Sequence, residues 1–260
     1  MRKRSDVWLR VTGTGLLLAT AAGLAAAAAA VAGSIEGQEF REYLPRIGRG
    51  VLITLFLAGS TFAAGFLLSF LLLFVSEASA RARRVMGFYQ NLIRYTPLLA
   101  QLYLVYYGAG ELAPWLEALH LWWLFREPMF CVLLVFLLNT TAYQSFILMG
   151  CVANLPRGQR EAGQALGLTA FPLMVKVLLP QALRFSMKPL GNELVGMIKA
   201  SSVASVVTVF DLLGETQAIF ADTFNLGYFL VAAAIYVVLV ELTRIAVDRL
   251  SGGLGVPQRG

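Results

Sequence analysis

Six long apolar segments constrain the fold of this chain more than any other feature. Each holds roughly 20 mostly apolar residues, the length that crosses the hydrocarbon core of a bilayer as a helix. They cover residues 11–33, 51–75, 92–109, 129–150, 188–210 and 226–247. A spanning segment must satisfy its own backbone hydrogen bonds, and these runs are too uniformly apolar for barrel strands. The sequence therefore predicts an all-α, polytopic membrane helix bundle with six transmembrane helices.

The composition agrees with an integral membrane protein. Hydrophobic residues make up 58% of the 260 residues, charged residues make up 14%, and the mean hydropathy is +0.71. A soluble globule would need more charge to cover its surface. Cys131 and Cys151 lie at opposite ends of one apolar run, roughly 30 Å apart along a helix, which is too far for a disulfide. Neither a metal site nor redox chemistry is indicated.

The distribution of positive charge predicts the orientation. Fifteen of the 21 Lys and Arg residues lie in the amino-terminal segment, in alternate connections and in the tail. The positive-inside rule places these regions, and with them both termini, in the cytoplasm. The net charge of +6 therefore reports topology, and a nucleic-acid partner is not needed to explain it.

The first apolar segment leaves one alternative open. Its basic start and alanine-rich run are also typical of a cleaved signal sequence, although a retained helix fits its length better. The topology from residue 51 onward is the same in both cases. We expect residues 1–50 to hold the basic start, the first span and an external linker, residues 51–250 to form a five-helix core, and residues 251–260 to form a cytoplasmic tail.

The cytoplasmic connection at 155–180 is unusually structured for a loop. Its first part, "LPRGQREAGQALG", predicts a short helix after Pro156 that Gly167 ends, since glycine readily takes the left-handed conformation beyond a helix terminus. The second part, "LTAFPLMVKVLLP", is apolar and predicts a short interfacial piece interrupted by Pro172 and Pro180. The simplest alternative is a hairpin that only connects two spans.

Several motifs in this region resemble one family. Glu-Ala-Gly at 161–163, followed by Gly167 and by Leu179-Pro180, is similar to the EAA loop of the membrane subunits of ABC importers. "LIRYTPLLAQL" (92–102), "LGNE" and "IKASSVASVVTVFDL" resemble stretches of the branch that imports polar amino acids. The resemblance covers about residues 50–247. It implies a type I ABC importer permease fold in a bacterial cytoplasmic (inner) membrane.

The resemblance also implies partners and coupling residues. In this family a cytoplasmic ATPase dimer docks on the EAA loops of two permease subunits, and an external solute-binding protein delivers the substrate. The residues that would carry the docking here are Gln159, Glu161, Ala162, Gly163, Ala165, Gly167 and Pro180. The family usually has alanine where this chain has Gly163. Because glycine costs up to about 1 kcal/mol in a helix interior, we expect a softer docking helix.

The chain holds no phosphate-binding loop or dinucleotide fingerprint. We therefore expect no catalytic residues, no metal and no cofactor on this chain, with ATP and Mg²⁺ bound by the partner ATPase.

Polar residues inside the spans are candidates for the substrate path, because ionisable and polar groups are unfavourable in hydrocarbon. These candidates are Asn139, Tyr143, Gln144, Asn192, Glu193, Lys199 and Ser202. Asn192, Gly196, Lys199 and Ser202 share one helical face. Two other roles remain open: hydrogen bonds between helices, and an ion pair of Lys199 with Glu193 or with a carboxylate of a partner.

Two other classes of function remain as alternatives. A secondary amino-acid transporter would use Lys199 and Glu193 as ion or proton sites and would need no ATPase. A membrane-embedded enzyme would need a convergent acid/base or metal set, which the sequence does not indicate. The Asn192-Glu193 pair favours a basic amino acid as substrate, whereas Lys199 argues against it. The sequence leaves open whether the second permease is identical or related.

Overall fold

The computed structural model describes residue 33 and residues 37–253. The first predicted span, 11–33, lies outside the described residues except at its last position, so it stays a prediction. The regular elements of the described residues are helical, which agrees with the predicted all-α class. The α-helices are α1 (Gly37–Ala78), α2 (Ala80–Tyr95), α3 (Leu98–Glu111), α4 (Ala113–Ala118), α5 (Trp122–Phe125), α6 (Pro128–Ala153), α7 (Arg157–Ala165), α8 (Ala170–Leu173), α9 (Leu179–Ala200), α10 (Leu212–Thr223) and α11 (Gly227–Gly253).

Helix α1 contains the span predicted at 51–75 and extends well beyond it. Its 42 residues are about 63 Å long at 1.5 Å per residue, twice the roughly 30 Å of a hydrocarbon core. The helix begins at Gly37, so most of the segment expected as a linker before residue 51 is helical. It runs directly into α2, with Ser79 between them accepting a hydrogen bond from the Ala82 amide at 3.1 Å.

The prediction of one continuous span at 92–109 is wrong. Helix α2 ends at Tyr95 and α3 begins at Leu98, and Thr96 between them has extended backbone angles. The proline at 97 is the reason, because its ring disfavours the helical conformation of the residue before it. Neither of these two helices is both long and apolar enough to cross a membrane by itself.

Helices α6 and α11 confirm the spans predicted at 129–150 and 226–247. They differ in their surroundings. Of the most apolar window of α6, 61% is buried inside the chain, whereas the corresponding figure for α11 is 6%. Helix α6 therefore lies at the centre of the bundle, and α11 presents its apolar side chains to the surroundings.

The span predicted at 188–210 is a bent pair of helices. Helix α9 ends at Ala200, a 3₁₀ turn covers Ser201–Val207, and α10 follows at an angle of 48°. Thr208, at the end of the 3₁₀ turn, has a left-handed backbone with φ of 62°. This bend orients α10 towards the amino-terminal part of α1, where the main chain of Leu212 approaches Gly50 so closely that an added Cβ would lie 2.9 Å away.

The prolines of the loop region do not interrupt the chain as predicted. Helix α8, a π-helical turn at Met174–Leu178 and α9 follow one another without a break. Pro172 lies in the first turn of α8, where a backbone N–H would have no hydrogen-bond partner within the helix, so its absence costs nothing. Pro180 is the second residue after the π turn, whose last hydrogen bond runs from the Leu179 amide to the Met174 carbonyl. This wider turn accommodates the proline ring.

Candidate functional site

A cavity with both apolar and charged side chains in its lining lies where the α2–α3 break faces α6 and α9. Its volume is about 550 Å³, within the range of small-molecule sites. It brings together three of the seven predicted substrate-path residues, Asn139, Tyr143 and Glu193. The lining also includes Gly196 and Arg94.

Arg94 is the cavity residue that residue-by-residue reasoning on the spans missed. Its guanidinium carbon lies 3.6 Å from the centroid of the Phe146 ring and 5.4 Å from that of Tyr143. The Nε atom is buried and has no hydrogen-bond partner among the described residues. A buried, unpaired guanidinium nitrogen is costly, so this group is suited to receive an anionic ligand atom. Arg94 belongs to the stretch "LIRYTPLLAQL" (92–102), so the resemblance of that stretch could have identified it.

Gln101 connects the α2–α3 break to helix α6 across this cavity. Gln101 Nε2 donates to the carbonyl oxygens of Ile93 and Thr96, at 2.7 and 3.0 Å, and so satisfies backbone groups that the break leaves free. Gln101 Oε1 accepts from Asn139 Nδ2 at 3.2 Å. The break on one side of the cavity is thereby tied to α6 on the other.

Glu193 contributes a carboxylate to the same cavity, and the Thr140 hydroxyl of α6 lies beside it. The cavity thus presents a cation, a carboxylate, an amide and a phenol to a common space. A small zwitterion with several polar groups fits this set of partners.

The other four predicted path residues lie elsewhere. Gln144 is fully buried and donates from Nε2 to the Phe62 carbonyl at 3.1 Å, so it joins α6 to α1. Asn192 and Lys199 are exposed. Ser202 donates to the Lys199 carbonyl at 2.8 Å. Lys199 and Glu193 are six residues apart, about 120° around the helix, and only Glu193 lines the cavity.

The second candidate site is the surface helix α7, which the sequence predicted after Pro156. Gly167 ends it with φ of 77°, and the Leu168 amide bonds to the Gly163 carbonyl at 3.0 Å, as in a Schellman motif. The predicted coupling residues that are exposed on this helix and just after it are Gln159, Glu161, Ala162, Ala165 and Gly167. Leu166 adds an apolar side chain that is 81% exposed.

Gly163 and Pro180 have different positions from the rest of the coupling set. Gly163 is buried, and a Cβ added to it would lie 2.4 Å from Leu173 Cδ1. The absence of a side chain at Gly163 therefore lets α7 pack closely against α8 and fixes the position of α7. Pro180 is exposed at the start of α9. A hydrogen bond of 3.3 Å from Gln181 Nε2 to Gln159 Oε1 links the two helices nearby.

A buried carboxylate marks the bend between α9 and α10. Asp211 has no exposed surface and caps α10 by accepting from the Gly214 amide at 3.0 Å. It also accepts from Ser201 at 3.1 Å, from Tyr236 at 2.9 Å and from Thr54 at 3.4 Å. One side chain thus connects α1, the 3₁₀ turn, α10 and α11.

These features together define a class of protein. An apolar helix bundle that has charged side chains in a cavity beside broken helices, and a short exposed surface helix, is the arrangement of a membrane transport subunit. The sequence matches the family described as binding-protein-dependent transport system inner membrane component over residues 65–255. The chain belongs to this family, so it is the membrane-embedded subunit of a transport system that works with a binding protein and an ATPase, and it is not itself an enzyme.

Similar proteins agree with this assignment. The chain is 35% identical to the nopaline transport system permease protein of Agrobacterium fabrum over 75% of this chain and 82% of that protein. It is 30% identical to the arginine ABC transporter permease protein of Haemophilus influenzae over 81% and 93% of the two chains. Among solved structures, an amino acid ABC transporter crystallised with histidines matches with a TM-score of 0.74 and 26% identity, covering 84% of this chain and 98% of that one.

Proposed function

We propose that this chain is the permease subunit of an ABC importer that moves polar amino acids, including basic ones, into the cytoplasm by alternating access. The observation that carries the proposal is the cavity in which Arg94 and Glu193 face a common space. The relatives named for nopaline and arginine transport support the same substrate class.

An amino acid has the charges that this cavity complements. The α-carboxylate pairs with the guanidinium of Arg94, which is a bidentate donor. An ammonium or guanidinium group of the substrate pairs with the Glu193 carboxylate. Asn139 and Tyr143 supply hydrogen-bonding groups that fix the orientation. A buried charge without a partner is unfavourable, so the cavity favours a ligand that carries both signs.

The ATPase supplies the driving force for transport, and helix α7 is the site that receives it. Helix α7 offers exposed small and apolar residues to a groove on the ATPase, with Glu161 at the rim. The ATPase dimer binds ATP and Mg²⁺, and its closure moves α7 as a rigid lever. Among the described residues, there is no cluster of three or more His, Cys, Asp or Glu side chains that could hold a metal ion.

The remaining partners follow from orientation and surface. The chain lies in the inner membrane with both termini and α7 on the cytoplasmic side, as the positive-inside rule predicts. A second permease, identical or related, completes the translocation path, and an external binding protein delivers the substrate. Lipid covers the apolar face of α11, where Val237, Val238 and Leu242 are exposed.

The test uses the complete complex in liposomes, with the binding protein outside and ATP inside. Glu193→Gln should reduce uptake of radiolabelled arginine at least about tenfold, since a charge-assisted hydrogen bond contributes about 1.5–3 kcal/mol. The matched control, Glu127→Gln, alters an exposed carboxylate and should leave uptake unchanged. Equal uptake in both variants would contradict the cavity assignment.

Coupling is tested separately by Glu161→Arg, with Glu117→Arg on exposed α4 as the control. We expect only the Glu161 variant to lose binding-protein-stimulated ATP hydrolysis and uptake. Unaltered hydrolysis in that variant would contradict the docking role. Substrate flux driven by an ion gradient without the ATPase would instead support the secondary transporter.

A further inference from the structure

Helix α7 faces the end of α1 and the beginning of α2 across a second cavity. This cavity has a volume of about 730 Å³ and is lined by charged side chains from three helices, among them Glu77, Arg83 and Arg160. The space means that α7 does not pack tightly against α2. Any mechanical connection across it must therefore run through side chains that reach into the cavity.

Glu77 makes such a connection. Its Oε2 lies 3.7 Å from Arg160 Nη1 of α7, and its Oε1 lies 3.7 Å from Arg83 Nη2 of α2. In the part of the chain that the structure describes, Arg160–Glu77 is the only ion pair that joins α7 to another helix. The two arginines therefore share one carboxylate, which lies in the last turn of α1.

Helix α2 links this ion bridge to the substrate cavity. Arg83 lies near its first turn and Arg94 in its last turn, eleven residues or about 16 Å further along. Two hydrogen bonds fix α2 to α6: Tyr89 Oη donates to the Leu138 carbonyl at 2.6 Å, and Gln90 Nε2 donates to Ser145 Oγ at 3.0 Å. Because α2 is one continuous helix, a displacement of its first turn is transmitted along it to Arg94 and, through these two hydrogen bonds, to α6.

A different route connects α7 to α9. Gly163 packs on Leu173, and Gln159 accepts from Gln181. This second contact leads to the helix that carries Glu193. The two oppositely charged groups of the substrate cavity are thus connected to α7 by separate routes.

We propose that Glu77 is a positioning residue that transmits the movement of α7 to α2 and so to Arg94. The inference rests on the proposed function, because it assumes that an ATPase moves α7. The three side chains of the bridge are partly exposed, with relative exposures of 31% for Glu77, 60% for Arg83 and 43% for Arg160. Ion pairs of this kind are weak, so the bridge can form and break in every transport cycle.

The experiment compares Glu77→Gln with wild type in the complete complex in liposomes. It measures both binding-protein-stimulated ATP hydrolysis and uptake of radiolabelled arginine. We expect uptake to fall about fivefold while hydrolysis stays within about twofold, so that more ATP is consumed per substrate imported. A residue needed only for folding or assembly would lower both rates together, which would overturn the proposal.

The matched control is Glu241→Gln, because Glu241 is an exposed carboxylate paired with Arg244 within one helix. It should leave the ratio of hydrolysis to uptake unchanged. Arg160→Gln should reproduce the Glu77→Gln ratio, and the double variant should be no worse than either single one. If Glu77→Gln does not assemble, Arg83→Gln and Arg160→Gln provide the same readout.

Failure of the proposal for Glu77 can be distinguished from failure of the proposed transport function. If wild-type complex hydrolyses ATP and imports substrate while Glu77→Gln matches its control, only the role of Glu77 is wrong. If the effects of Glu77→Gln and Arg160→Gln add, the two residues act independently, and the proposal is again overturned. If the wild-type complex shows no stimulated hydrolysis, the proposed function itself fails.

Discussion

The Arg94 guanidinium stacks on the ring of Phe146, with 3.6 Å between the guanidinium carbon and the ring centroid. The two residues come from different helices, α2 and α6. Stacking on an aromatic face holds the planar cation in one orientation, and the cavity lies beside it. The nitrogen atoms of Arg94 are therefore oriented before a ligand arrives, which reduces the ordering that binding requires.

This arrangement predicts that Arg94→Lys reduces amino-acid uptake strongly although the positive charge is kept. Lysine lacks the planar fork that both stacks on Phe146 and donates two parallel hydrogen bonds to a carboxylate. Loss of about 1.5–3 kcal/mol corresponds to at least about tenfold weaker transport. Uptake measured against substrate concentration checks this. Arg126→Lys, at an exposed arginine beside Glu127, is the control. Equal transport in the two variants would contradict the role of Arg94.

Gly163 leads to a prediction about the packing of α7 against α8. Gly163→Leu should detach α7 from α8, because the added side chain would occupy the position of Leu173. Gly163→Ala should be nearly neutral. Alanine gains about 0.5–1 kcal/mol in helix propensity, and the flexible end of Leu173 shifts at a cost of about 0.5–1.5 kcal/mol.

The control is Gly48→Leu in α1, away from the docking helix, since a Cβ at Gly48 meets no atom within 4 Å. Binding of the ATPase to the purified permease is the measurement. Normal binding by Gly163→Leu, or equal loss of binding by Gly48→Leu, would show that the Leu173 contact does not position the helix.

The sequence predicted most of the helices but not how they are broken. Spans at 51–75, 129–150 and 226–247 are visible as apolar runs because hydrophobic length is a local property. The break at Thr96–Pro97 was readable in principle, since proline restricts the residue before it. Hydropathy averaged over a whole segment hides such a break. The continuous path from α8 to α9 was missed for the opposite reason, because the π turn that accommodates Pro180 depends on main-chain hydrogen bonds that the sequence does not specify.

The candidate site was predicted in part for similar reasons. Helical periodicity predicted that Asn192, Gly196, Lys199 and Ser202 share one face, but it could not tell which residues of α9 border the cavity. Gly196 lines it, and Ser202 lies beyond α9 in the 3₁₀ turn. The orientation of α9 depends on its packing against α6 and α11. Glu193, which lies beside this stripe, faces the cavity, whereas Asn192 and Lys199 are exposed. From the sequence alone, glycine at position 163 predicts a softer helix, whereas its close contact with Leu173 is a tertiary feature that the sequence does not show.

Asp211 predicts a large effect of a small change at the bend between α9 and α10. Asp211→Ala removes the α10 cap and leaves the hydroxyls of Ser201 and Tyr236 without this acceptor. Each buried group left unsatisfied costs about 1–3 kcal/mol, and loss of a cap costs about 1 kcal/mol. Thermal unfolding in detergent should show a clearly lower midpoint for Asp211→Ala than for Asp211→Asn, which keeps the capping oxygen.

The control for Asp211 is Asp222→Ala, because the Asp222 side chain is 52% exposed and pairs with Arg46 at the surface. Its unfolding midpoint should stay close to that of wild type, as is usual for exposed pairs. If Asp211→Ala were as stable as Asp222→Ala, the carboxylate would not organise the four elements that contact it.

The crossing of α9 and α11 gives the last prediction. A Cβ added at Gly191 would lie 2.3 Å from Val247 Cγ1 and 3.0 Å from Val247 Cβ. Valine is branched at Cβ and cannot rotate away easily, so Gly191→Ala forces the two helices apart. Overpacking of this kind costs about 1–3 kcal/mol, and we expect a lower unfolding midpoint in detergent. Adding Val247→Ala should restore it, whereas Gly59→Ala, at a glycine with no atom near the added Cβ, should not lower it. A double variant no more stable than Gly191→Ala alone would mean that another contact fixes the distance between α9 and α11.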